Sequence, residues 1–187
     1  MKIHAMRHGE TPANREGKTH SHGADAELNE EGKMQIRKAV ESFPEGITMI
    51  ISSPARRAQQ TAEIVAEKYG IEQILTRQEI GGVKFGSLSG KSVNEIMELI
   101  KNPDYDLTPY GGESAKQVMS RIVRFLKEIN EQYPQEKIVM VTHKGIIRLM
   151  HYLFSEDKET EIPNASLHEF NIGSDHIILM GSENKSQ

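Results

Sequence analysis

Short apolar runs recur along the chain and alternate with segments whose apolar residues have helical spacing. Three of these runs, Lys2–Met6, Thr48–Ile51 and Lys137–Thr142, have the length of β-strands. The third run is apolar without interruption, which is typical of a central strand in a parallel sheet. Towards the C-terminal end, the segments His168–Ile172 and His176–Met180 predict a terminal pair of strands.

Five segments between these runs are predicted as helices, from the spacing of their apolar residues and from the residues that begin them. The predicted helices are Leu28–Phe43, a helix that opens at Ser53, Ser92–Ile100, Ser114–Gln132 and Gly145–Phe154. Ser53 is expected to be an N-cap, with Pro54 at the first helical position. Ser92 and Ser114 each begin the pattern of a capping box.

Strands that alternate with helices predict an α/β fold, and specifically a three-layer α/β/α sandwich with a mostly parallel central sheet. The chain has 187 residues and shows no internal repeat or low-complexity linker. We therefore predict a single domain over residues 1–180, followed by a polar tail over residues 181–187.

The composition removes several classes of function. The chain has no cysteine, which excludes disulfides, thiolate zinc sites, iron–sulfur clusters and cysteine nucleophiles. It carries 23 Lys and Arg against 27 Asp and Glu, a net charge of −4. This balance argues against nucleic acid or an anionic membrane as partner. No apolar stretch is long enough to span a membrane and no signal peptide is recognisable, so a cytoplasmic location is expected.

Basic and imidazole side chains follow three of the predicted strands. Arg7 and His8 follow the first strand, Ser53 and Arg57 follow the second, and His143 follows the central one. In parallel sheets, ligands bind beyond the carboxyl ends of the strands. Guanidinium groups match pairs of phosphate oxygens, and nearby positive charge keeps a histidine neutral and therefore nucleophilic. The sequence thus predicts a phosphate site at this edge of the sheet.

The segment Arg7–Thr11 (RHGET), with Asn14 shortly after it, resembles the signature of the histidine phosphatase superfamily, the phosphoglycerate-mutase-like group. Further segments resemble that family in the same order along the chain. They are LNEEGKMQ at 28–35, SSPARRAQQTAEI at 52–64, FGSLSGKS at 85–92, GGES at 111–114 and VTHKGIIR at 141–148. Six ordered segments are far more specific than one RHG triplet.

The resemblance implies a role for each matching residue. His8 would be the nucleophile that becomes phosphorylated, and Arg7 and Arg57 would bind the phosphoryl oxygens. His143 would complete the pocket and stabilise the transition state, and Asn14 would hydrogen-bond phosphate or substrate. The family needs neither a metal nor a cofactor for this chemistry. The implied function is that of a metal-independent phosphatase that hydrolyses a small phosphomonoester through a phosphohistidine.

Two other functions stay open at this point: a phosphoglycerate-type mutase, and a module that binds a phosphorylated ligand with little turnover. Mutases of this family are typically longer between the acid and the second histidine, so the phosphatase type is favoured. The expected partner is a small phosphorylated substrate, with no nucleic acid and no membrane. The protein is expected to be a monomer or a homodimer.

The proton donor is the least specified part of the predicted site. In relatives a glutamate commonly lies four residues before the glycine of the FG segment, and this chain has Gly82 there. Glu79 is the nearest candidate, and Glu113 is the second, although Glu113 also suits the first turn of a helix. A carboxyl group beside a phosphate dianion has a raised pKa, which suits a general acid.

Two departures from the family pattern concern the substrate side. Lys144 stands where relatives usually have glycine, and it either contacts a distal charge of the substrate or points to solvent. Residues 18–25 replace the usual glutamine–glycine pair, so His20 and His22 are expected to lie near the substrate. A metal at these two histidines is not expected, since no third ligand is near in sequence. Residues 79–114 are predicted to form a substrate-facing insertion.

Overall fold

The computed structural model describes residues 1–20, 26–155 and 159–173. His22, the predicted strand His176–Met180 and the predicted tail lie outside these ranges. Within them, no helix is both long enough and apolar enough to cross a membrane.

The described residues form one sheet of five strands in the order β3-β2-β4-β1-β5. The strands are β1 Lys2–Arg7, β2 Met49–Ser52, β3 Ile74–Thr76, β4 Ile138–Thr142 and β5 Leu167–Asn171. Strands β1 to β4 run parallel, and β5 is antiparallel to β1. The predicted α/β fold with a mostly parallel sheet is confirmed. β3 was not predicted, because three residues at an edge, two half-buried and one exposed, leave no periodic pattern to detect.

Six α-helices lie within the same ranges. They are α1 Pro12–Arg15, α2 Glu30–Glu41, α3 Arg56–Tyr69, α4 Val93–Ile100, α5 Ala115–Gln132 and α6 Lys144–Phe154. The capping boxes predicted at Ser92 and Ser114 are both present. The short helix α1, which was not predicted, begins at a capping box formed by Thr11 and Asn14.

The predicted start of α3 is wrong. The helix begins at Arg56, and its N-cap is Ala55, which makes no side-chain capping bond. The Ser53 hydroxyl instead lies 2.7 Å from Nε2 of His143, at the end of the neighbouring strand. A serine engaged in this long-range contact does not cap a helix, although its oxygen also accepts the Ala55 N–H at 3.3 Å.

Alternate side chains of β4 enter two separate cores. Ile138 and Met140 belong to the core that holds α5 and α6, whereas Val139 and Val141 belong to the core that holds α2 and α3. Burial on both faces explains why this strand is apolar throughout. The three layers therefore leave the strand ends as the place where polar groups from several strands can meet.

The strand register brings these ends together. Arg7 pairs with Thr142, and Ser52 pairs with Val141. The next residues along the three central strands, His8, Ser53 and His143, therefore emerge side by side at one edge of the sheet.

Candidate active site

The loop after β1 is held against helix α2 by two glycines. A Cβ on Gly9 would lie 2.6 Å from the carbonyl oxygen of Gly32, and a Cβ on Gly32 would lie 2.2 Å from the carbonyl oxygen of Glu10. Backbone contact this close excludes any larger residue without displacement. The Gly9 N–H also donates to Oγ1 of Thr61 on α3, at 3.2 Å. These contacts fix the backbone that carries His8.

His8 is buried, and its Nε2 is the ring nitrogen that carries a lone pair instead of a hydrogen. Its Nδ1 lies 2.8 Å from the Gly9 carbonyl oxygen, so Nδ1 must carry the hydrogen. Its Nε2 accepts a hydrogen bond from Nε of Arg57 at 3.3 Å. Burial, followed by the charge of Arg57, holds the pKa of His8 well below its usual range. The imidazole is neutral at physiological pH, which is the form that can act as a nucleophile.

His143 faces His8 across the same guanidinium. Their ring centroids are 5.2 Å apart. Nη2 of Arg57 donates to Nδ1 of His143 at 3.2 Å, so the hydrogen of His143 is on Nε2 and is donated to the Ser53 hydroxyl. Burial and the charge of Arg57 also lower the pKa of His143. Ser53 therefore orients His143, a function that its sequence pattern did not indicate.

Two arginines supply positive charge to the site. Nη1 of Arg7 donates to the Ile162 carbonyl at 2.7 Å, while its buried Nε has no hydrogen-bond partner in the described structure. Neither Arg7 nor Arg57 forms a salt bridge with a described carboxylate. Burial lowers the pKa of each to about 10, and Arg7 adds to the effect on Arg57. Two unpaired, partly desolvated guanidinium groups favour an anion between them.

A residue far along the chain supports the same loop. The side-chain nitrogen of Asn164 donates to the His8 carbonyl at 3.0 Å and to Oδ1 of Asn14 at 3.1 Å. The next residue, Ala165, has a left-handed backbone with φ of 59°. This segment was missed at the level of sequence, since no motif marks it.

The two predicted acids do not line the cavity at this site. Glu79 binds Arg77 through both carboxylate oxygens, at 3.1 and 3.2 Å, and Arg77 also binds Glu128. The hydrogen bond from Arg77 lowers the pKa of Glu79. Burial alone would raise the pKa of Glu113, but hydrogen bonds from Arg121 outweigh it, and this pKa is lowered too.

Gly82, where relatives commonly have glutamate, lines the cavity beside His143. A Cβ there would lie 3.5 Å from Cγ of His143, an ordinary contact distance. The position therefore has space for a Cβ, so the backbone here does not require glycine.

The cavity has a volume of about 480 Å³. Its lining includes five of the predicted residues, Arg7, His8, Asn14, Arg57 and His143. An apolar wall is formed by Val83, Phe85, Val93, Met97 and Ile100.

His20 and Lys144 also line the cavity, and a position near the substrate stays a prediction for both. Burial, with the charges of Arg7 and Arg148, lowers the pKa of Lys144. Arg56, next to Arg57, points away and pairs with Glu63 at 3.2 Å.

The fold and the paired histidines and arginines define a class of protein that acts on phosphate esters. A family model described as histidine phosphatase superfamily (branch 1) matches residues 3–184. The chain belongs to this superfamily.

Named relatives agree with this assignment. Phosphoglycerate mutase-like protein 4 of Arabidopsis thaliana is 32% identical over 184 residues, which cover 91% of this chain and 79% of the relative. Phosphoserine phosphatase 1 of Hydrogenobacter thermophilus is 30% identical over 161 residues, 81% of this chain and 74% of the relative. A mycobacterial glucosyl-3-phosphoglycerate phosphatase solved with VO3 has the same fold, with a TM-score of 0.77, 24% identity and coverage of 90% and 91%. The chain is a phosphoric monoester hydrolase, as predicted.

Proposed function

We propose that the protein is a metal-independent phosphatase that hydrolyses a small phosphomonoester through a phosphohistidine on His8. The observation that carries the proposal is the state of His8. Its Nδ1 is tied to the Gly9 carbonyl, and its Nε2 lone pair points at the guanidinium of Arg57. An anion bound to Arg57 would lie beside that nitrogen, and the lone pair becomes free to attack when the Arg57 Nε–H donates to the anion instead. The unpartnered Nε of Arg7 supplies a further donor for the phosphoryl oxygens.

The cavity supports a substrate with two unlike ends. Its volume of about 480 Å³ is in the range of small-molecule sites. The phosphate would occupy the end that holds the two arginines, and a carbon-rich body would lie against the wall of Val83, Phe85 and Met97. Lys144 at the cavity could contact a second polar group of the substrate. The assignment of residues 79–114 as a substrate-facing insertion stays a prediction, which this wall supports.

The test is to trap the intermediate. The protein, with a chelator present, is incubated with p-nitrophenyl phosphate, quenched in alkali, and digested for mass spectrometry. Phosphate on the peptide that contains His8 is expected, together with phosphate release. His8→Ala should lose both the label and turnover while it still binds inorganic phosphate.

Full activity in His8→Ala would refute the mechanism. Interconversion of phosphoglycerates without net phosphate release would instead identify a mutase. Phosphate binding without release from any of a panel of phosphoglycerates, sugar phosphates, phosphoamino acids and nucleotides would identify a binding module.

A further inference from the structure

A phosphatase of this kind needs a proton for the oxygen that leaves with the alcohol. Among the described residues, the cavity is lined by no aspartate or glutamate. Arg77 holds Glu79, and Arg121 holds Glu113 at 3.1 Å while the Lys84 N–H donates to the same carboxylate at 2.9 Å. Both carboxylates are engaged in ion pairs outside the cavity, which directs the search for a proton donor to the residues that line it.

His20 is a titratable side chain inside the cavity that the nucleophilic step does not use. Its ring centroid lies 5.8 Å from that of His8, with the ring planes at 87°. Its Nε2 is 2.8 Å from Oγ1 of Thr11, the residue that caps α1. Its Nδ1 makes no hydrogen bond to a described residue, which leaves this atom available to a substrate.

The segment before His20 is anchored to the start of α4. Lys18 forms an isolated bridge with Ser92. The Thr19 N–H donates to the Lys91 carbonyl at 2.9 Å, and the Thr19 hydroxyl donates to the same carbonyl at 3.1 Å. With Thr11 on the other side, His20 is positioned from two independent elements rather than carried on an unsupported loop.

The other titratable groups of the cavity are already committed. His8 is the nucleophile, and both nitrogens of His143 are bonded, to Arg57 and to Ser53. Lys18 is paired with Glu16 at 2.7 Å. Lys144 is exposed overall, and the ordinary pKa of an amine, about 10.4, is far from neutral pH, where one group has to give a proton and then take one.

We propose that His20, rather than Glu79 or Glu113, protonates the leaving oxygen and then activates water; this rests on the proposed phosphohistidine mechanism. As the bond from His8 Nε2 to phosphorus forms, the bond from phosphorus to the ester oxygen breaks, and its electron pair goes to that oxygen. The His20 proton moves to the oxygen, and the alcohol leaves. Neutral His20 then takes a proton from water as the water oxygen bonds to phosphorus, and the electron pair of the nitrogen–phosphorus bond returns to His8.

The charges that face His20 suit this cycle. In the free protein, burial and then the charges of Arg57 and Arg7 lower the pKa of His20 to about 4. A phosphate dianion between the two arginines would offset their charge and raise the pKa of His20 again. Substrate binding therefore shifts the protonation equilibrium of His20 towards the imidazolium, which is the form that the first step needs.

The dependence on the leaving group tests this role. His20→Gln keeps a side chain that hydrogen-bonds but cannot titrate, and kcat/KM is measured for p-nitrophenyl phosphate, phenyl phosphate and an alkyl phosphate. p-Nitrophenolate leaves without a proton, so its kcat/KM should fall by no more than about threefold, whereas the alkyl ester should lose about 100-fold or more. Phosphohistidine should accumulate in the variant, because water activation is also lost. Glu79→Gln and Glu113→Gln should change kcat/KM for all three esters by the same factor.

Two results would overturn the assignment. One is an equal loss of kcat/KM on all three esters in His20→Gln. The other is a loss of kcat/KM that depends on the leaving group only in Glu79→Gln or Glu113→Gln. If His20→Gln does not fold, as judged by circular dichroism, His20→Asn is measured in its place. Labelling of His8 in the wild type separates the two proposals. Without it the phosphohistidine mechanism itself fails, and with it only the identity of the proton donor is at stake.

Discussion

His8 and His143 are neutral in the folded protein. We therefore expect the protein to lose stability as the pH falls, and at pH values well above those at which carboxylates titrate. In the unfolded chain a histidine has a pKa of about 6.5. In the folded protein the pKa values of His8 and His143 are held well below this, first by burial and then by Arg57. The unfolded state therefore binds more protons, and stability is lost as the pH falls through about 6.5.

The magnitude follows from the fraction of unfolded histidine that is protonated. When the pH falls from 7 to 5.5, each histidine that stays neutral in the folded protein lowers the free energy of unfolding by about 1.3 kcal/mol. The two histidines together lower it by about 2.5 kcal/mol. His20 and His168, each with a pKa lowered to about 4, act in the same direction. The lowered pKa of Glu79 has its effect at lower pH, so it contributes little in this window.

Urea unfolding at the two pH values, at constant ionic strength and without phosphate, measures this difference. The matched control is the double variant His8→Asn, His143→Asn, in which the pH-dependent loss should be smaller by about 2.5 kcal/mol. If wild type and double variant lose the same stability, the two histidines take up protons in the fold, and the argument for a neutral nucleophile fails.

Three further substitutions test other parts of the site. Gly32→Ala should lower the urea midpoint, because the new Cβ would lie 2.2 Å from the Glu10 carbonyl oxygen. This is expected even though alanine gains about 1 kcal/mol in helix propensity over glycine. A higher urea midpoint would contradict the tight loop packing. Ser53→Ala should lower kcat about fivefold through the lost hydrogen bond to His143, with Ser53→Thr as the variant that keeps the hydroxyl. Gly82→Glu should restore alkyl phosphate hydrolysis to His20→Gln, and Gly82→Gln should not, because a Cβ at this cavity position meets only ordinary contacts and of the two side chains only glutamate can donate a carboxyl proton. Equal rates in the Glu and Gln variants would show that a carboxyl group at this position cannot deliver the proton.

Much of the site could be predicted because its residues directly follow strands. An uninterrupted apolar run such as β4 identifies a central strand, and parallel neighbours then bring their ends to one edge. The structure places Arg7, His8, Arg57 and His143 together there. The helix starts at Ser92 and Ser114 were also predictable, since a capping box is a pattern of adjacent residues.

The direction of each carboxylate could not be predicted in this way. Glu79 and Glu113 lie close in sequence to the segment that lines the cavity, but each is paired with an arginine that neither family motif nor periodicity indicates. Arg121 on α5 binds Glu113 and also donates to the carbonyl groups of Glu79 and Gly82. These contacts depend on how α5 packs beneath residues 79–82, which is a long-range property.

The sequence by itself determined the alternation of the longer strands and helices, the capping boxes at Ser92 and Ser114, and the cluster of histidines and arginines at the strand ends. All of these depend on residues that are neighbours along the chain or on the direction of parallel strands. The tertiary structure alone decided that Ser53 binds His143 rather than capping α3, that Asn164 supports the His8 backbone, and that His20 reaches the cavity while the glutamates do not. Each of these outcomes is a contact between distant segments, and its energy depends on burial and on the available partners rather than on local propensity.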